Sequence, residues 1–225
     1  EPKYSPAHLG IAQRRLAKGE KTKARASLET TVRLDPDNFD AQFYLGMAAM
    51  ESGEYDRAEK ALKTAQRGTR YDNDSEIESR LGTIYLYKKD FAAAEKSFQR
   101  SLALEPSNPG AYNNLGIIYL NRNDIARAEQ MFRSAYKLNP DNPGICMMLA
   151  QVLSRDEKTL SESISLYLRA VQLAPTNPQI YAELGNVYLR AKENQNALRA
   201  YEQALRLNPS SKDLRDRVAA LRSGR

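Results

Sequence analysis

The sequence predicts an all-α protein: an α-solenoid, a right-handed superhelix of six helix–turn–helix units closed by one capping helix. Three observations predict it. The first is a 34-residue period, complete in Pro109–Asn142, where Leu115, Gly116, Tyr119, Ala128, Phe132, Ala135 and Pro140 stand at positions 7, 8, 11, 20, 24, 27 and 32. The second is the three- and four-residue spacing of its apolar members, which puts them on the inward faces of two helices. The third is a recurring start signal, Asn-Pro, at Asn108-Pro109, Asn142-Pro143 and Asn177-Pro178. Asparagine there caps a helix, and proline fills its first turn, where a missing N–H costs nothing.

Each residue type has a physical task at its place. Gly116 is expected where the second helix crosses the first, with Ala128 answering it, because a larger side chain would hold the two backbones apart. Pro140 cannot continue a helix and ends the second one. The first unit runs over 5–38, with Arg15 where an aromatic is usual, as expected of a solvated end unit. The second is 39–72; it lacks the terminal proline, and Asn73 and Asp74 are additional. The stretch Arg67–Asp74, RGTRYDND, is therefore expected to form an irregular connection. The third unit is 75–108, the fourth 109–142. The fifth, 143–177, carries one extra residue, expected in the turn around Ser154–Ser161. The sixth is 178–211. The segment 212–225 then reads as an amphipathic helix whose Leu214, Val218 and Leu221 cover the last unit while its arginines face water.

Composition narrows the function. The 225 residues are 41% hydrophobic and 28% charged, ordinary for a soluble helical protein. No apolar run approaches 18 residues, so no transmembrane segment is expected. The net charge of +6 divides into +3 over residues 1–38 and +3 over residues 212–225, with a neutral middle. Two basic tips are not the continuous stripe of a nucleic-acid binder, and no nucleic-acid partner is expected. The chain starts at Glu1 without a methionine, as in a processed or excised form, so any targeting segment lies upstream.

Nothing in the sequence assembles catalytic chemistry. There is one histidine, His8, and one cysteine, Cys146, so neither a histidine metal site nor an intrachain disulfide is expected. Cys146 stands at a core-facing position and reads as a buried thiol. The glycines at 46, 82, 116 and 185 are a packing period and not a phosphate cradle. Glu59, Glu95 and Glu129 recur at one position of the second helices and read as a solvated outer face. No enzyme activity, metal or cofactor is expected.

The positions quoted for Pro109–Asn142 resemble the tetratricopeptide repeat family. That resemblance implies a concave groove lined by first-helix positions 2, 5, 9, 12 and 13. Carried onto this chain it gives Asp40, Phe43, Met47 and Met50; Ser79, Thr83, Leu86 and Tyr87; Asn113, Ile117 and Leu120; and Asn186. Phe43, Met47, Met50, Leu86, Tyr87, Ile117 and Leu120 would form an apolar wall, suited to an amphipathic helix or a hydrophobic peptide of a protein partner. The Lys/Asn/Arg clamp by which some family members hold a carboxylate is not expected. Asn114 stands at one of its positions, but Ser79, Thr83, Gly144 and Met148 stand at others.

Six units and the overall length also resemble the pilotin lipoproteins of type IV pili. That resemblance implies a place on the periplasmic face of the bacterial outer membrane, a secretin subunit as partner, and a lipid anchor on a cysteine outside this stretch. The competing expectations are a cytosolic scaffold or co-chaperone, and an accessory subunit of a secretion or polysaccharide-export complex.

Overall fold

A computed structural model of the chain describes residues 5–223. Among them are thirteen α-helices and one short 3-10 turn, Glu157–Thr159. The first helices of the six units are α1 (Ser5–Ala17), α3 (Phe39–Glu51), α5 (Ser75–Tyr87), α7 (Pro109–Asn121), α9 (Pro143–Leu153) and α11 (Pro178–Arg190). The second helices are α2 (Lys21–Leu34), α4 (Tyr55–Ala65), α6 (Phe91–Leu104), α8 (Ile125–Leu138), α10 (Leu160–Leu173) and α12 (Asn194–Leu207), and α13 (Lys212–Arg222) follows. Residues 224–225 of the expected last helix lie outside the described residues. The helices fall into two compact bodies, Glu1–Pro106 and Ser107–Arg225.

The start signals act as their chemistry requires. The side chains of Asn108, Asn142 and Asn177 each accept from a backbone N–H of the helix they open, and proline takes the first position. Where the second unit lacks the motif, Asp74 does the same work, accepting from the Glu76 and Ile77 N–H groups. It is one of the two additional residues, so the insertion restores a cap that the missing proline segment would have led into.

The turn within a unit has its own requirement. Position 15 adopts a left-handed conformation in five units, with φ of 73° at Gly19, 74° at Gly53, 61° at Lys89, 59° at Asn123 and 61° at Lys192. Such a residue ends the first helix and reverses the chain. The fifth unit has no such residue. Its additional residue falls where expected, and the 3-10 turn over Glu157–Thr159 makes the reversal instead.

Packing between paired helices adds detail to one expectation. A Cβ built on Gly116 would lie 2.6 Å from the ring of Phe132, and equivalents at Gly82 and Gly185 would lie 2.8 and 2.7 Å from Phe98 and Tyr201. The glycine therefore makes room first for the side chain at position 24. At Gly46, where a Cβ would lie 2.7 Å from Leu62, the position-20 residue Ala58 is close as well, its carbonyl oxygen 3.4 Å away. Ala128 is fully buried. The first unit solves the problem differently, with Ala12 and the smaller Leu28, both fully buried.

Three further expectations change. Arg15 is not simply solvated: its Nη1 donates to Ser27 Oγ at 2.7 Å and to the Lys23 carbonyl at 3.0 Å, tying α1 to α2. On α13, Leu214 and Val218 are buried as expected, but Arg217 turns inward. It donates to Asn186 Oδ1 at 2.9 Å and lies over the Tyr201 ring. Finally, Glu59 is no solvated outer carboxylate, since its side chain is only 17% exposed. It accepts from Lys63 and Lys88 at 2.7 Å each and from the Tyr85 hydroxyl at 3.1 Å. Burial pushes this carboxyl up, but those three donors outweigh it and hold the pKa at about 2.

Candidate functional site

In Glu1–Pro106, the expected wall residues Phe43, Met47 and Met50 lie on α3, and Ser79, Thr83, Leu86 and Tyr87 on α5. All are half-buried except Tyr87, which is 63% exposed. Phe43 and Met50 pack against the core that joins α3, α4 and α5. The connection after α4 then reaches back over α3. Its Tyr71 is 5% exposed and stacks on Phe43, with ring centroids 5.2 Å apart and planes 12° from parallel. The Tyr71 hydroxyl donates to Asp40 Oδ1 at 2.5 Å, and Arg70 donates to the same oxygen at 2.9 Å. Burial, with the Asp40 carboxylate adding to it, pushes the phenol pKa up, so the tyrosine stays a donor.

Glycine permits this arrangement. A Cβ on Gly68 would lie 2.5 Å from the Phe39 ring, so any larger residue would lift the connection off α3. Asp40 and Phe43 are thus engaged by the chain's own Tyr71 and Arg70. The sequence marked the connection as irregular, but nothing in its spacing said where Tyr71 would go. Elsewhere on α5, the Thr83 hydroxyl donates to the Ser79 carbonyl at 3.0 Å. Tyr87 stacks on Tyr55 of α4, with centroids 4.7 Å apart and planes 9° from parallel.

In Ser107–Arg225, Asn113, Ile117 and Leu120 lie half-buried on α7, and Asn186 on α11. Asn113 and Ile117 come together with Met147 and Met148 of α9 around a concavity of about 430 Å³. The helix starts at Gly110 and Gly144 and the side chain of Gln179 complete its rim. Met147 and Met148 belong to the divergent fifth unit, from which no wall residue was expected. Position 5, applied to that unit as to the others, points to Met147. Asn186 does not join this group. Its oxygen accepts from the Tyr201 hydroxyl at 2.6 Å and from Arg217, and its nitrogen donates to Glu183 at 3.1 Å.

The oxygen of Asn113 is different. Oδ1 is buried and has no hydrogen-bond partner, alone in this among side-chain N and O atoms of the described residues. Cys146, next to Met147, is fully buried, and burial pushes its thiol pKa up, so thiolate chemistry is disfavoured there. Among the described residues, no group of three or more His, Cys, Asp or Glu side chains is placed to hold a metal ion. No helix among them is long and apolar enough to cross a membrane.

Comparison with known proteins bears on the repeat itself. A family model described as Tetratricopeptide repeat matches residues 9–74 and 79–143, more than half of the chain. A second with the same description matches 178–211, and one described as TPR repeat matches 153–192. The chain belongs to the tetratricopeptide repeat family. A search of curated protein sequences returns no significant match.

Solved structures agree on the fold. The pilF protein of Pseudomonas aeruginosa superposes with a TM-score of 0.77 at 18% identity, covering 98% of this chain and 97% of that one. YrrB, described as a TPR protein with an unusual peptide-binding site, gives 0.69 at 15% identity, covering 87% and 97%. A chain of the APC/C hetero-tetramer Cut9-Hcn1 gives 0.73 at 20% identity and covers 98% of this chain, which spans only 43% of that larger protein.

Proposed function

We propose that this protein works by binding, not by turnover: it is a scaffold that holds an apolar segment of a protein partner. One observation carries the reading. Ile117, Met147 and Met148 stand half-exposed around an open concavity of about 430 Å³. Unbranched methionines adapt to irregular apolar partners and suit such a wall. Of the other expected wall positions, Phe43, Tyr87 and Asn186 are engaged within the chain. Membership of the repeat family supports the reading, and so does the peptide-binding site named for the structural neighbour YrrB.

A finer reading is that of a pilotin, assisting assembly of an outer-membrane secretin for type IV pili from the periplasmic side. What supports it is the six-unit length and a fold match running the whole length of both this chain and pilF.

Affinity capture from native cells, wild type beside Ile117→Glu, tests both readings. The charged variant should lose more than tenfold of the captured partner while its far-ultraviolet circular dichroism stays unchanged, because a carboxylate would be desolvated against the methionines. Undiminished capture would end the claim for this concavity. A secretin among the lost proteins would support the pilotin reading. Chaperones or polymer-export subunits in its place would replace it with a cytosolic co-chaperone or an accessory subunit.

A further inference from the structure

We propose that a second, separate site lies within Glu1–Pro106: a cleft between α2 and α4 that takes a compact ligand with an apolar chain and one anionic head, a carboxylate or a phosphate, which Lys60 receives.

The cleft has a volume of about 440 Å³, inside the span of roughly 300–1,000 Å³ usual for small-molecule sites. Its apolar lining is Val32 of α2, Pro36 from the connection after it, Leu45 of α3 and Ala61 of α4. Ala61 stands at position 23 of its unit. The fifth unit carries the larger Leu166 there, buried, so the fold accepts a leucine at this place and alanine leaves the space open.

The charges along the cleft are unevenly matched. Arg57 Nη2 donates to Glu29 Oε1 at 2.6 Å, and Arg67, just past α4, pairs with Asp37 at 3.4 Å. Both bridges cross from the second unit to the first, and Arg57, Asp37 and Arg67 all line the cleft. Lys60 lines it as well, on the helix between the two arginines. It is exposed, and its ammonium has no ion pair among the described residues. The acidic residues beside it in sequence do not serve it, since Asp56 accepts from Lys88, and Glu59 from Lys63 and Lys88. Lys60 thus leaves one positive charge uncompensated above an apolar floor.

These features together select the ligand. The lining rewards an apolar body withdrawn from water. An unmatched ammonium gains most from an ionised acceptor, because such hydrogen bonds are roughly twice as strong as neutral ones. A cation would meet only carboxylates already held by arginine or lysine. A polypeptide running through the cleft would have to break both bridges, whereas a short ligand lies between them and leaves them closed. The concavity of α7 and α9 differs in kind, since no residue lining it is charged.

The test uses octanoate, octyl phosphate and octanol, titrated calorimetrically onto the full chain, with the methyl NMR signals of Val32 and Leu45 as markers of position. An anion should bind one-to-one, at least tenfold more tightly than octanol, and shift both sets of methyl signals. Whichever of octanoate and octyl phosphate binds more tightly identifies the head, and either supports the site. In Lys60→Gln the affinity should fall about tenfold, toward that of octanol. In Ala61→Leu binding should be lost while the melting temperature holds or rises, because the leucine fills the cleft. Lys60 is exposed, so its variant reports on binding whatever Ala61→Leu does to folding. Equal affinity in wild type and Lys60→Gln, full binding by a folded Ala61→Leu protein, or no saturable binding of either anion would overturn the proposal.

Discussion

At the scale of single residues, stability rests on a few contacts in which a missing side chain matters as much as a present one. Gly116 and Phe132 illustrate the point. The ring is fully buried against bare backbone, so even one methyl at 116 must push it aside. Gly116→Ala should cost about 1–3 kcal/mol, the usual range for overpacking, read as a shift in the urea midpoint. The first unit shows the compensating solution in Ala12 and Leu28. Combining Gly116→Ala with Phe132→Leu should therefore cost less than the sum of the two single changes. Strict additivity would show that the two residues do not share one space.

Among elements, neighbouring units are stitched together by charged pairs. Arg25 grips Glu54 with two bonds of 2.6 and 2.7 Å, Lys88 bridges from just past the end of α5 to Glu59 on α4, and Arg133 holds Glu162 at 2.6 and 2.9 Å. Glu59 is the most enclosed of these carboxylates and gives a sign to the pH dependence. Its pKa in the fold is about 2 against an ordinary 4.5, so the carboxylate is favoured by folding. The stabilisation is complete above about pH 4.5 and is lost as the pH falls through 2. Lys63 and Lys88 are partly exposed, so solvent screens the contribution to on the order of 1–2 kcal/mol. Urea midpoints at pH 7 and pH 3 should therefore converge between wild type and Glu59→Gln as the pH drops. A constant difference across that range would assign the stabilisation to packing and not to charge.

For the whole molecule, the division into Glu1–Pro106 and Ser107–Arg225 has a physical consequence. A repeat array draws its stability from each unit and its immediate neighbours, so a body of three units and a capping helix carries most of what it needs. The stretch 107–225, produced alone, should show helical circular dichroism and a cooperative thermal transition, and should retain the concavity of Asn113, Ile117, Met147 and Met148. A fragment without a cooperative transition would mean that its helices depend on the preceding body.

How much of this was legible beforehand follows from the range of the interactions concerned. Boundaries came out within a residue or so wherever a local signal set them: Asn142 and Pro143 start α9, and Pro140 follows the end of α8. The concavity was half legible, since Asn113 and Ile117 obey the period, while Met147 and Met148 sit in a unit whose extra residue disguised it.

The sequence by itself therefore determined the all-α repeat, its caps, its turns and its buried faces, because these depend on neighbours three or four residues away and recur every 34. Only the tertiary structure decided that Tyr71 covers Phe43, that Arg217 reaches Asn186, that Lys88 holds Glu59, and that Asn113 keeps an unpaired oxygen. The three pairings join residues some 28–31 positions apart. Two of them involve the insertion after α4 and the terminal helix, which follow no period. Their outcome is set by which surfaces the assembled helices leave uncovered, and that surface exists only once the chain has folded.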